Sequence, residues 1–125
     1  MLEKIKFKPE DFLVEEIPCR EFKEKGRYLI LKMAKKNYNT EDAVQQISKK
    51  LKIPRKNIGY AGTKDRKAIT KQYISIQQAS KERIQGLEIK DINLEFIGYS
   101  EAPLSLGELE GNKFTITIRN IDKNG

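Results

Sequence analysis

Apolar and polar positions alternate along much of this chain, and the period changes once. "KIKFK" sets Ile5 and Phe7 against Lys4, Lys6 and Lys8, which predicts a half-buried strand ended by Pro9. "DFLVEEI" predicts a second short strand, with Phe12 and Val14 on one side and Leu13 and Ile17 on the other. "EFKEKG" reads as a polar turn ending at Gly26, and "RYLILKM" as a central strand covered on both faces. "NIGYAG" reads as a strand running into a polar cluster. In "ITKQYISIQ", Thr70, Gln72, Ile74 and Ile76 share one face, and Lys71, Tyr73 and Ser75 the other. "INLEFIGYS" and "KFTITIRNI" alternate as well. The second is expected to turn Phe114, Ile116 and Ile118 inward and Lys113, Thr115, Thr117 and Arg119 outward. Between them "APLSLGELEGN" is expected to be a loop punctuated by Pro103, Gly107 and Gly111.

The period shifts after "NYNT". Ala43, Ile47 and Leu51 recur every four residues with Val44 beside them, which predicts a helix from about Thr40 to Lys52. Asn39 or Thr40 can cap its first amides, and Glu41 and Asp42 suit the positive end of its dipole. Lys49, Lys50 and Lys52 sit in its last turn, and Pro54 prevents continuation. "SKERIQG" fits one further short helical turn. The predicted architecture is α+β, a mostly antiparallel mixed sheet with a helix packed on one face, over a single domain of residues 1–125. The chain stops five residues after Asn120, soon after a strong strand, so it is expected to be the front part of something longer.

Charge narrows the partner. The 25 Lys and Arg residues outnumber the 18 Asp and Glu residues, giving a net charge of +7. Such an excess suits a polyanion, most often nucleic acid, or serves only solubility. The chain has no histidine and one cysteine, Cys19. A catalytic histidine, an internal disulfide and a Cys/His zinc site are therefore excluded within these residues. The N-terminal residues are charged from Glu3 and lack an apolar signal region, and no run approaches a membrane span. A cytoplasmic setting is the expectation.

Three stretches can carry chemistry. In "YAGTKDRKAIT", Lys64 and Arg66 flank Asp65. They would hold its carboxylate ionised, ready to act as nucleophile or general base. The same residues also fit a charge-balanced hairpin tip of little energetic weight. In "KFKPEDFLVEE", Lys6 or Lys8 can reach a phosphate or pair with a carboxylate, or can line an ordinary amphipathic edge. In "LEGNKF", Asn112 and Phe114 lie two apart on a strand, so an amide and a ring can face one cleft and suit a nucleobase. Equally, Phe114 can begin a core face and Asn112 a turn. Basic residues interleave with aromatics at Lys23, Lys25, Arg27 and Tyr28, at Lys35, Lys36 and Tyr38, and at Lys71 and Tyr73. That pattern fits RNA held by phosphate neutralisation and stacking.

Together, "KFKPEDFLVEE", "NIGYAGTKDRKAITKQYISI" and "LSLGELEGNKFTITIRNI" resemble the TruD family of tRNA pseudouridine synthases, in that family's order and over essentially the whole chain. The middle block follows G-x-K-D-[RK]-x-A-x-T-x-Q, here Gly62, Lys64, Asp65, Arg66, Ala68, Thr70 and Gln72. The resemblance implies an isomerase that converts uridine to pseudouridine in tRNA, at position 13 of the D-stem region, with no cofactor or metal. It puts the catalytic aspartate on Asp65, with Lys64 and Arg66 beside it. It puts the N-terminal lysine on Lys6 and the base contacts on Asn112 and Phe114. The family's chains are much longer, so the partners it implies are tRNA and the remaining C-terminal part of the same protein. A non-catalytic basic RNA-binding module is the alternative function.

Overall fold

The fold is read from a computed structural model, which describes residues 11–63 and 69–117. Its centre is β2 (Tyr28–Lys35), where Leu29, Ile30, Leu31 and Met33 are all buried, as expected of a strand covered on both faces. β2 lies antiparallel between β4 (Ile69–Gln77) and β5 (Ile92–Ser100). On the far edge of β4, β1 (Phe12–Pro18) runs parallel to it, and β6 (Leu109–Ile116) pairs antiparallel with β1. A three-residue strand, β3 (Ile58–Tyr60), also pairs with β4. The sheet order is β5-β2-β4-β1-β6, with β3 off this path.

One face of the sheet is covered by α1 (Thr40–Leu51). Ala43, Val44, Ile47 and Leu51 pack with Leu29, Leu31, Met33, Ile74 and Ile76, which share that face by the period of two. Asn39 is the cap: its Oδ1 accepts from the Asp42 amide at 2.8 Å. Thr40, the other capping candidate, makes a tertiary contact, its Oγ1 donating to Gln72 Oε1. The helix ends at Leu51 with Lys52 in the left-handed region, at φ 58°. The short α2 (Lys81–Gln85) adds Ile84 to the same core, and the Arg83 guanidinium donates to the Leu51 carbonyl at the end of α1. On the opposite face, the segment around Phe22 and the loop carrying Leu104 lie against the sheet. Phe22 packs on Tyr73 at 5.5 Å between ring centroids, and Ser75 Oγ accepts from the Leu104 amide at 2.9 Å.

Among the described residues the one parallel pair, β1 with β4, makes the sheet mixed and mostly antiparallel, as expected, although no local pattern encodes a pairing of partners some 56 residues apart in the register Leu13↔Ile69. Two expectations for the last strand are corrected. β6 starts at Leu109, inside the stretch expected to be loop. Its alternation does not mark an inward face: Phe114 is 70% exposed and Ile116 55%. β6 is the last strand of the sheet, and the core cluster formed with α1 includes no residue of β6, so among the described residues its alternation meets no covering layer. Ile118 and the strand expected at residues 4–8 lie outside the described residues.

Ile47→Ala removes a fully buried side chain from the α1 stripe, and is expected to cost about 2–5 kcal/mol. Lys49→Ala on the exposed side should stay within about 0.5 kcal/mol. Denaturant unfolding of the two variants checks the contrast.

Candidate functional site

The site begins with a steric conflict on one edge of β4. β3 pairs with that edge from Ile58↔Ile76 to Tyr60↔Ile74. β1 occupies the same edge a few residues earlier, from Leu13↔Ile69 to Glu15↔Lys71. A hairpin continuing past Tyr60 would enter the position β1 already fills. The chain therefore leaves the ladder at Ala61, and its backbone groups must find other partners. The Ala61 carbonyl accepts from the Gly107 amide at 2.7 Å. The Gly62 carbonyl accepts from Gln72 Nε2 at 2.7 Å, while Gln72 Oε1 accepts from Thr40 Oγ1 at 3.0 Å. Between the two pairings, the Tyr73 amide donates to Glu16 Oε1 at 3.0 Å. A carboxylate thus fills the gap where one neighbouring strand ends and the next begins.

The bond to Gln72 carries the chain onto the α1 face. Thr63 is followed by residues 64–68, which lie outside the described residues and include the expected site residues Lys64, Asp65 and Arg66. The expected Lys6 and its neighbour Lys8 also lie outside them. The chain rejoins the sheet at Ile69.

Register then decides what faces that point. Phe114 pairs with Val14, Val14 with Thr70, and Thr70 with Lys35. Paired residues project to the same face, so this row shares the face of Gln72 and α1. Asn112, paired with Glu16, is on that face too. Phe114 lies two strands from Thr70, about 10 Å at ordinary strand spacing. The two sequence-predicted base contacts thus stand together, exposed, beyond the edge of the helix and level with the start of β4. Thr70 is 1% exposed and its hydroxyl has no hydrogen-bond partner among the described residues. Beside the row opens a shallow cleft of about 270 Å³, whose lining includes Lys35, Lys36, Ile69, Asp91 and Asn93.

A charged clamp fixes the approach to this region. Arg55 gripping Glu41 is bidentate, with Nε to Oε2 and Nη2 to Oε1 both at 2.7 Å, and its Nη1 donates to the Ile58 carbonyl at 2.7 Å. The Tyr60 hydroxyl donates to Glu41 Oε1 at 2.9 Å. The first turn of α1 is thereby tied to both ends of β3. The Arg55 hydrogen bonds hold the Glu41 carboxyl well below its ordinary range, at about 2, with Tyr60 and Gln45 assisting against partial desolvation. Arg55 is raised by the same pairing, and Tyr60 is raised by desolvation and then by Glu41.

Not every expected RNA contact is available for one. Lys35 is buried, and its Nζ donates to the Tyr38 carbonyl at 2.6 Å. Tyr73 is engaged by Phe22, with Lys32 5.9 Å from its ring centroid. Lys32 also pairs with Glu15 at 3.5 Å. Sequence reasoning missed Glu16, Glu41, Arg55 and Tyr60. Glu41 was legible only as a dipole-favoured residue, and its partner Arg55 lies 14 positions away. Exposed Cys19 follows Pro18, the last paired residue of β1.

The family model described as tRNA pseudouridine synthase D (TruD) matches residues 2–125. A curated relative named tRNA pseudouridine synthase D, from Aquifex aeolicus (strain VF5), is 46% identical over 123 residues, spanning 96% of this chain and 32% of its own. A protein from Thermococcus onnurineus (strain NA1), named "Probable tRNA pseudouridine synthase D", is 46% identical over 120 residues, spanning 96% of this chain and 29% of its own. A solved structure under the TruD name from Methanosarcina mazei superposes with a TM-score of 0.87 at 40% identity, covering 95% of this chain and 27% of that one. The chain spans between a quarter and a third of the length of these relatives.

Two outcomes test the geometry. A carboxyl whose pKa is lowered on folding stabilises above its unfolded value and loses that contribution as pH falls through the folded one. The stability gap between the natural protein and Glu41→Gln should therefore be full at neutral pH and close between about pH 4.5 and about pH 2; thermal melts across that range read it. Thr70→Val replaces an unpartnered buried hydroxyl by a methyl. It should leave the melting temperature unchanged or raised, and a fall of several degrees would reveal a partner.

Proposed function

Because this chain belongs to the tRNA pseudouridine synthase D family, we propose that it carries the catalytic aspartate and part of the base-binding surface of an enzyme that isomerises uridine in tRNA, at position 13. The observation that carries the reading is the strand register. It sets Asn112 and Phe114 on the face, and at the level, where the chain bearing Asp65 returns to the sheet at Ile69. An exposed ring on a strand edge is a poor core residue and a good stacking platform for a flipped base.

In this reading the target uridine leaves its stack, at a cost of a few kcal/mol that phosphate contacts offset. Phe114 stacks on the uracil and Asn112 hydrogen-bonds to its edge. Asp65, held ionised by Lys64 and Arg66, acts at C1′ as nucleophile or by promoting departure of the base. The N1–C1′ bond breaks, the uracil turns against Phe114, and C5 bonds to C1′. The C5 hydrogen leaves as a proton and N1 gains one, so the change is a net isomerisation without redox. Lys6 contacts a phosphate or the Asp65 carboxylate. Exposed Lys and Arg side chains on the surrounding surface attract the RNA, and binding weakens as salt rises.

Asp65→Asn in the full-length polypeptide is expected to abolish pseudouridine formation while tRNA affinity stays within a few-fold. Mass-shift labelling of product tRNA and a filter-binding titration check the two halves. Normal turnover by the variant would reject Asp65 as the reacting group. Salt-dependent binding without product from the unaltered protein would favour a binding module instead.

A further inference from the structure

Gln72 is the one fully buried polar side chain in the run Thr70–Gln77 whose two ends are both engaged by other elements. Its neighbours on the same face, Ile74 and Ile76, are apolar core residues. A side chain needed only to fill that space would be apolar too, because a buried amide costs free energy unless both its ends are bonded. Here they are. The Gly62 carbonyl can only accept, so it must face Nε2, and the Thr40 hydroxyl then meets Oε1. Gln72 supplies the donor that the displaced hairpin arm lost when β1 took its place on the ladder. The carbonyl it holds belongs to the glycine three residues before Asp65.

We propose that Gln72 is a positioning residue for the reaction: by gripping the Gly62 carbonyl from β4, with Thr40 of α1 orienting the grip, it sets the place from which the Asp65 segment departs. This rests on the reading that Asp65 is the reacting group. Gln72 is fully buried, out of reach of a bound nucleotide, so its loss acts on turnover rather than on RNA affinity. A displacement of about 1 Å at a reacting group costs on the order of 10²-fold in rate.

The experiment uses the full-length polypeptide and tRNA. For Gln72→Leu, single-turnover conversion at saturating enzyme should fall by about 10²-fold, with tRNA affinity within a few-fold. Deuterium uptake by residues 59–63 in the RNA-free protein should rise, while uptake across α1 stays as in the natural protein. Gln72→Glu gives a readout that a merely structural role would not move. Its ionised carboxylate can accept from Thr40 but cannot donate to Gly62, whereas the protonated acid can do both. Its turnover relative to the natural protein should therefore rise as pH falls, with both proteins folded throughout. If Gln72→Leu loosens α1 as well, Gln72→Glu carries the test alone. Natural turnover and uptake in Gln72→Leu, or a pH-independent deficit in Gln72→Glu, overturns the proposal. If Asp65→Asn is inactive while the Gln72 variants are normal, only the positioning role falls. If the natural protein forms no pseudouridine, the functional reading falls and takes this role with it.

Discussion

Two strands compete for one edge of β4, and the remainder of the site follows from how the competition is resolved. β3 holds Ile74 to Ile76, and β1 holds Ile69 to Lys71. A buried backbone tolerates few unpaired polar groups, and three at the junction are met from elsewhere: Glu16 for the Tyr73 amide, Gln72 for the Gly62 carbonyl, Gly107 for the Ala61 carbonyl. The junction is therefore a place where side chains and loop backbone do the work of a ladder. It is also where the chain leaves the ladder after Tyr60. Side chains that substitute for backbone partners are specific in a way that ladder bonds are not, since changing one residue removes the bond.

The point of departure at Ala61 and Gly62 rests on a packed base. The apolar stripe of α1 fixes the helix against β2 and β4, and the Glu41–Arg55–Tyr60 clamp ties the start of that helix to β3. Thr40 then reaches Gln72 from the same helix turn. Hydrophobic burial sets where the helix lies, and the polar bonds at its N-terminal end set the approach to the site. The two contributions occupy different faces of α1: Ala43, Val44, Ile47 and Leu51 are buried in the core, while Glu41 is partly open to solvent.

The strands and the helix were legible because their periods are local properties. β2, β4 and α1 appear close to where the alternation and the four-residue spacing put them. What periodicity cannot report is which face another layer will cover, and β6 shows this. Its alternating residues form a regular strand, yet Phe114 and Ile116 are exposed, because the core cluster formed with α1 includes no residue of β6. Lys35 shows the converse, a cation that composition assigns to a basic surface and the fold buries. The parallel pairing of β1 with β4, and hence the displacement at Ala61, depends on chain segments far apart in sequence. Gln72 was legible as a polar residue beside Thr70 on the face of Ile74 and Ile76 and as the last residue of the middle motif, a signal that gains meaning once Gly62 and Thr40 are seen on either side of it. Asn112 and Phe114 were readable as a same-face pair, and the register supplies the neighbours they share.

The position of Cys19 has a practical corollary. It is the single thiol in these 125 residues, and it is exposed immediately after Pro18. Along an extended chain it stands about 16 Å from Val14, the residue that links Phe114 to Thr70. A fluorophore or spin probe attached there would occupy a known station just past β1 without intruding on the row of Phe114, Val14 and Thr70. Distances to a labelled RNA could then be triangulated from a native side chain.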